Sequence, residues 1–108
     1  MNKSNKRLLC ILEIIGNESK HGYQIMLDYF NAYNEKISTS TLYEVLYKQA
    51  DDGVLEVIEM NTNIVEGKKR RYYKLTPKGG KLLEIKRAEA EIYQEPTQSK
   101  KLKKIDNK

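Results

Sequence analysis

Two groups of side chains in this chain have the types and spacing to do chemistry with another molecule. The first is Lys68-Lys69-Arg70-Arg71-Tyr72-Tyr73-Lys74, a run of cations interleaved with phenols. Such a patch draws in phosphate backbones, because each phosphate it neutralises releases condensed counterions. The second is Ser38-Thr39-Ser40-Thr41, four hydroxyls ahead of Tyr43, Tyr47 and Lys48. Hydroxyls of this kind cap a helix, and those not used in capping hydrogen-bond to phosphate oxygens or base edges. A basic cluster on its own reads as a solvated surface, so the setting of the two groups decides.

The rest of the composition removes other chemistries. The 108 residues hold one histidine and one cysteine. A structural zinc wants four ligands, mostly Cys and His, and these cannot be assembled within the chain. Cys10 lies in the apolar run Leu8-Leu9-Cys10-Ile11-Leu12, where a thiol packs as a small hydrophobe, and His21 has no thiol or second imidazole to work with, so a structural or capping role is expected. No glycine-rich phosphate loop is present. The expectation is a protein that is not an enzyme and that needs no metal or cofactor. A single cysteine and the lack of a leader-like segment or a membrane-length apolar run point to the cytoplasm.

The net charge of +5 is unevenly spread. Residues 21–60 carry two lysines against seven carboxylates, whereas residues 61–78 carry six cations against Glu66 alone. The acidic stretch contains the hydroxyl cluster, but Asp51, Asp52, Glu56 and Glu59 come well after it. Glu44 is the exception, and it suits either a cap or a cytosine amine.

The elements that must hold these groups follow from hydrophobic spacing. Residues 8–15 read as a buried helix stopped by Gly16-Asn17. Ile25, Met26, Tyr29, Phe30 and Tyr33 predict a second helix from about Lys20 to Asn31, followed by a polar connection. The Ser/Thr cluster starts a third helix that runs to about Asp52. Both the cluster and a Thr41–Glu44 capping box supply caps, which leaves the capping residue open. Gly53 ends that helix. Residues 54–60 and 70–75 read as strands joined by a polar loop around Gly67. Tyr72 and Tyr73 alternate across the second strand, so one packs inward, and the pattern does not say which. Thr76-Pro77 opens a last helix. Its Ile85, Ala88, Ile92 and Tyr93 have little in the chain to cover them, which argues for a second copy. Pro96 ends this helix, and a lysine-rich tail follows. The fold class is mainly α with a small antiparallel β-hairpin, in the order of a winged helix-turn-helix. The expected divisions are residues 1–76 for DNA binding, 77–95 for dimerisation and 96–108 for the tail.

Three motifs then carry a resemblance. His21-Gly22-Tyr23-Gln24-Ile25, Thr41-Leu42-Tyr43 with Gly53, and Arg70-Arg71-Tyr72-Tyr73-Lys74-Leu75-Thr76 resemble, in order and spacing, the signatures of the PadR-like transcriptional regulators of the short subfamily. Gly79 and Leu82-Leu83 continue the match, which spans about residues 8–83. The resemblance implies a bacterial, cytoplasmic, homodimeric repressor that binds a pseudo-palindromic operator. Tyr23 would touch the DNA backbone, and Ser38, Thr39, Ser40, Thr41 and Tyr43 would face the groove. Tyr47 and Lys48 flank that surface, and Lys68, Lys69, Arg70 and Arg71 would reach phosphates or the minor groove. The last helix, helped by Leu8 and Leu12 of the first, would form the dimer. Thr39-Ser40 stand where the family often has Pro-Gly, Gln49 where it has a core leucine, and Tyr47-Lys48 where it often has Arg-Arg. Ala90 stands where one branch places a tryptophan that stacks flat ligands, so that drug site is not implied. An inducer, if the protein has one, is not specified. A different reading of the same fold is a winged-helix adaptor or DNA-binding protein of plasmid segregation or conjugation machinery.

Overall fold

The computed structural model describes residues 3–61 and 69–93. Helix α1 spans Lys3–Ile15 and buries Cys10, Ile11, Leu12 and Ile15. Helix α2 does not begin at Lys20 as the spacing predicts. Lys20–His21 instead form a short strand, β1, and α2 runs Gly22–Tyr33. Two residues carry no periodic pattern, so nothing in the sequence distinguishes this strand from the first turn of a helix. Its partners are distant in the chain: Lys20 pairs with Tyr73 and His21 with Tyr72. Lys20 also reaches Asp28 on α2 with a 2.7 Å ion pair. Asn34 closes α2 in a left-handed conformation, its N–H bonded to the Phe30 carbonyl.

Helix α3 spans Thr39–Asp51 with Ser38 as its cap. The Ser38 hydroxyl oxygen accepts from the Thr41 N–H at 3.2 Å, and its hydroxyl donates to Thr41 Oγ1 at 2.8 Å. This resolves the capping residue: Thr41 lies in the first turn, and Glu44 is exposed on the helix. Strands β2 (Leu55–Asn61) and β3 (Lys69–Leu75) pair antiparallel, from Leu55 opposite Leu75 to Asn61 opposite Lys69. The expected hairpin is thus part of a three-stranded sheet of order β1-β3-β2. Helix α4 runs Pro77–Tyr93. Thr76 starts it, accepting from the Gly79 N–H at 3.0 Å and donating to the Gly53 carbonyl at 2.6 Å. A β-carbon at Gly79 would overlap the Val54 carbonyl oxygen. The first turn of α4 therefore lies directly on the junction between α3 and β2, which explains a glycine that weakens the helix.

The core joins α1 to Ile25 and Tyr29 of α2, Leu42 and Leu46 of α3, Val54, Leu55, Tyr73 and Leu83. Ile37, just past the polar connection of residues 31–36, also plugs it. Each such side chain contributes about 1.5–3 kcal/mol on full burial. Gln49, at a leucine position of the resembled family, is the buried polar side chain of this core among the described residues. Tyr73 is the inward tyrosine, at 1% exposure, and Tyr72 packs edge-on against the His21 ring.

One dimer-interface expectation needs correcting. Leu12 is fully buried within its own protomer and has no surface to offer a second one. Position 12 falls on the face of α1 that meets the core, whereas Leu8, one turn earlier, is only half-buried. On α4, Ile85 is 53% exposed and Ala88 is exposed. The neighbouring Lys86 and Arg87 turn back to α1, where they bond Asn5 (3.2 Å) and Glu13 (2.9 Å). Lys68, the side chains of Ile92 and Tyr93, Pro96 and the lysine-rich tail lie outside the described residues.

Candidate nucleic-acid interface

The start of α2, the outer flank of α3 and the open end of β3 converge on one groove of about 610 Å³. β1 ends at His21, so among the described residues β3 has no partner strand on that side from Arg71 back to Lys69, and the groove runs along this edge. Tyr23 forms one wall at 61% exposure. Tyr43 and Tyr47, one turn apart on α3 with ring centroids 5.6 Å apart, line the middle. Lys69, Arg70 and Arg71 form the opposite wall. Among the described residues no carboxylate lines it. The groove is thus positive, with several phenolic donors, which suits an anion.

Local structure accounts for each of these positions. His21 is extended (φ −84°, ψ 165°), and its Nδ1 accepts the Gln24 N–H at 3.3 Å, so the imidazole caps α2. Burial, then the nearby Arg70 charge, hold the imidazole below its usual range and keep it neutral, as an accepting nitrogen must be. Gly22 follows because a β-carbon there would overlap the Tyr43 hydroxyl and ring. The HGY and TLY motifs are therefore two sides of one contact: the glycine of α2 makes room for the tyrosine of α3. This fixes Tyr43 as a half-buried member of the groove, packed against the core cluster.

Tyr73 lies at the base. Its hydroxyl is buried beside the Arg71 guanidinium. Burial, reinforced by the phenols of Tyr47 and Tyr43, pushes its pKa up, so the group stays protonated. Arg71 is tied across the hairpin, its Nε donating to Glu59 Oε2 at 3.2 Å.

Ser38, Thr39, Ser40, Thr41 and Lys48 do not line this groove. Thr39 and Ser40 are exposed at the start of α3, and Thr41 is half-buried beside them. Ser38 is engaged in capping. Lys48 lies nearer the end of α3, in an exposed 3.3 Å pair with Asp52. His21 is the helix cap that its residue type predicts. Residue typing alone missed two participants: Gly22 acts through backbone geometry, and Glu59 is an acid where a search for cations looks past it. The hairpin register, which sets Glu59 opposite Arg71, is the signal that would have found it.

Cys10 packs into the core as expected and borders a second concavity, about 360 Å³, between the start of α1 and the end of α2. Tyr33 lines it too, and burial, then the adjacent Cys10, raise its phenol. Among the described residues no cluster of His, Cys, Asp or Glu is placed to hold a metal. No helix among them is long and apolar enough to cross a membrane.

Comparison with known proteins agrees with this geometry. Residues 11–85 match the model of the transcriptional regulator PadR-like family. A PadR family transcription regulator from Clostridium difficile is 26% identical, with 79% of this chain and 86% of that one covered and a TM-score of 0.67. A PadR-like transcriptional regulator from Bacillus cereus is 25% identical, with 82% and 84% covered and a TM-score of 0.71. A transcriptional regulator from Clostridium thermocellum, 22% identical, shares the fold over 92% of this chain and 96% of its own, with a TM-score of 0.77. No curated protein sequence matches. With most of its length matched to the family model, and with the winged-helix fold of its members, this chain belongs to the PadR-like family of transcriptional regulators.

Proposed function

We propose that the protein is a cytoplasmic homodimeric repressor that binds a pseudo-palindromic operator. The observation that carries this reading is the groove itself. The exposed hydroxyls at the start of α3 are available to base edges, and Tyr43 and Tyr47 further along the same helix share the groove with the cations of the wing strand. A helix start in the major groove, with cations on the flanking phosphates, is how such a motif reads DNA. The dimer is supported by α4, whose Lys86 and Arg87 turn inward to α1 while Ile85 and Ala88 face away from the protomer.

Selection of bound fragments from genomic DNA, followed by footprinting, tests the reading. The expected footprint is one inverted repeat with half-sites about 34–36 Å apart, or a multiple of that spacing. A long array of repeats would instead favour a segregation or conjugation role. Light scattering should give twice the 12.6 kDa chain mass. Ile85→Glu, which places a charge in the shared face, should return it to a monomer.

A further inference from the structure

The acid on the wing needs a reason. Glu59 lies on β2 directly opposite Arg71 of β3, on the face of the hairpin that carries Tyr73. A carboxylate beside a surface that faces phosphates repels them, so its presence is a cost to binding unless it does something for its neighbour. It adds little to the fold, since both partners are about half exposed and such pairs are weak.

The contact is specific. Glu59 takes the Nε–H of Arg71 at 3.2 Å, while the guanidinium also lies against the Tyr73 hydroxyl at the base of the groove. A guanidinium is planar, so fixing Nε fixes the direction of the remaining donors. Arg71 lines the groove while Glu59 does not, and its guanidinium lies within electrostatic reach of the Tyr73 and Tyr47 hydroxyls. The fork is therefore held on the groove side, with the acid behind it.

We propose that Glu59 is a positioning residue for DNA binding: by holding Arg71 through Nε, it presents the Nη pair to one backbone phosphate seated against Tyr47. The inference rests on the DNA-binding reading of the groove. It concerns a residue that touches no DNA, acts through another side chain, and carries the sign of charge that DNA disfavours.

The test is fluorescence anisotropy with a short mixed-sequence duplex, titrated over a range of salt concentrations. Arg71→Ala removes the phosphate contact, so affinity should fall about tenfold and the salt slope by about 0.9. Glu59→Ala should do nearly the same even though it makes the protein more positive, and its thermal midpoint should stay close to that of the parent. The double variant should be no weaker than Arg71→Ala alone. Glu59→Gln, whose amide oxygen still accepts from Nε, should recover part of the loss. Tighter binding by Glu59→Ala, or losses that add in the double variant, would overturn the proposal and leave the DNA reading standing. A parent protein with no salt-dependent affinity, or one indifferent to Arg71→Ala, would bring down both.

Discussion

The two walls of the groove are held by opposite means. On the helical side, position is set by shape: Gly22 is a glycine because the Tyr43 ring occupies the space of a β-carbon, and His21 and Ser38 each close a helix start with one side-chain bond. On the wing side, position is set by charge: Lys69 and Arg71 are exposed, and the 3.2 Å bond of Arg71 is to a half-exposed acid. Steric contacts in a packed interior are costly to disturb, whereas exposed charges contribute little to the fold and much to a phosphate. Changes to the first wall should thus register in stability, and changes to the second in affinity.

The largest effect is expected at Gly22. Gly22→Ala forces the Tyr43 ring to move, which should cost about 1–3 kcal/mol in denaturant unfolding. Tyr43→Leu in the same background should relieve part of that cost, and strictly additive losses would show that the two motifs do not meet as described. Ser38→Ala removes the α3 cap and should cost about 0.5–2 kcal/mol, with little change in the salt slope of DNA binding.

The smallest expected effect is an acid sensitivity that belongs to the helical wall. The His21 pKa in the fold lies below its ordinary 6.5, because burial and then Arg70 disfavour the charged ring. The folded state therefore binds this proton less readily than the unfolded chain. The stability from the neutral cap is fully present above about pH 6.5 and is lost as pH falls through the lower folded value. Protonation also puts a positive charge at the start of α2, the end that disfavours one. Thermal midpoints of the parent and of His21→Asn, which caps without titrating, should converge above that pH and separate below it. Parallel profiles would remove His21 as the cause.

The contrast between the walls also explains how much could be read from the sequence. Helices α1, α3 and α4 and the two long strands were legible because hydrophobic period, caps and the Gly53 stop agree with the fold. The cations of the wing were legible for the same reason that they act, since charge is visible in residue type. What stayed hidden depends on contacts between distant residues. β1 exists only because β3 offers Lys20 and His21 an edge, and Tyr73 rather than Tyr72 faces inward because of the register that places it over the core. Leu12 looks as available as Leu8 in a helix that is apolar nearly all round, and only packing shows that it is spent within the protomer. Glu59 reads in the sequence as one more acid of the 21–60 segment, and only the hairpin register places it opposite Arg71.

The central claim, that the groove binds backbone phosphates through its wing wall, is tested most directly by the salt dependence of DNA affinity in parent, Lys69→Ala and Lys69→Ala/Arg71→Ala. The slope of log K against log salt should flatten by about 0.9 for each contact removed, whatever the duplex sequence, while thermal midpoints barely move. Slopes that match the parent in both variants would contradict the claim and place the phosphate contacts elsewhere on the molecule.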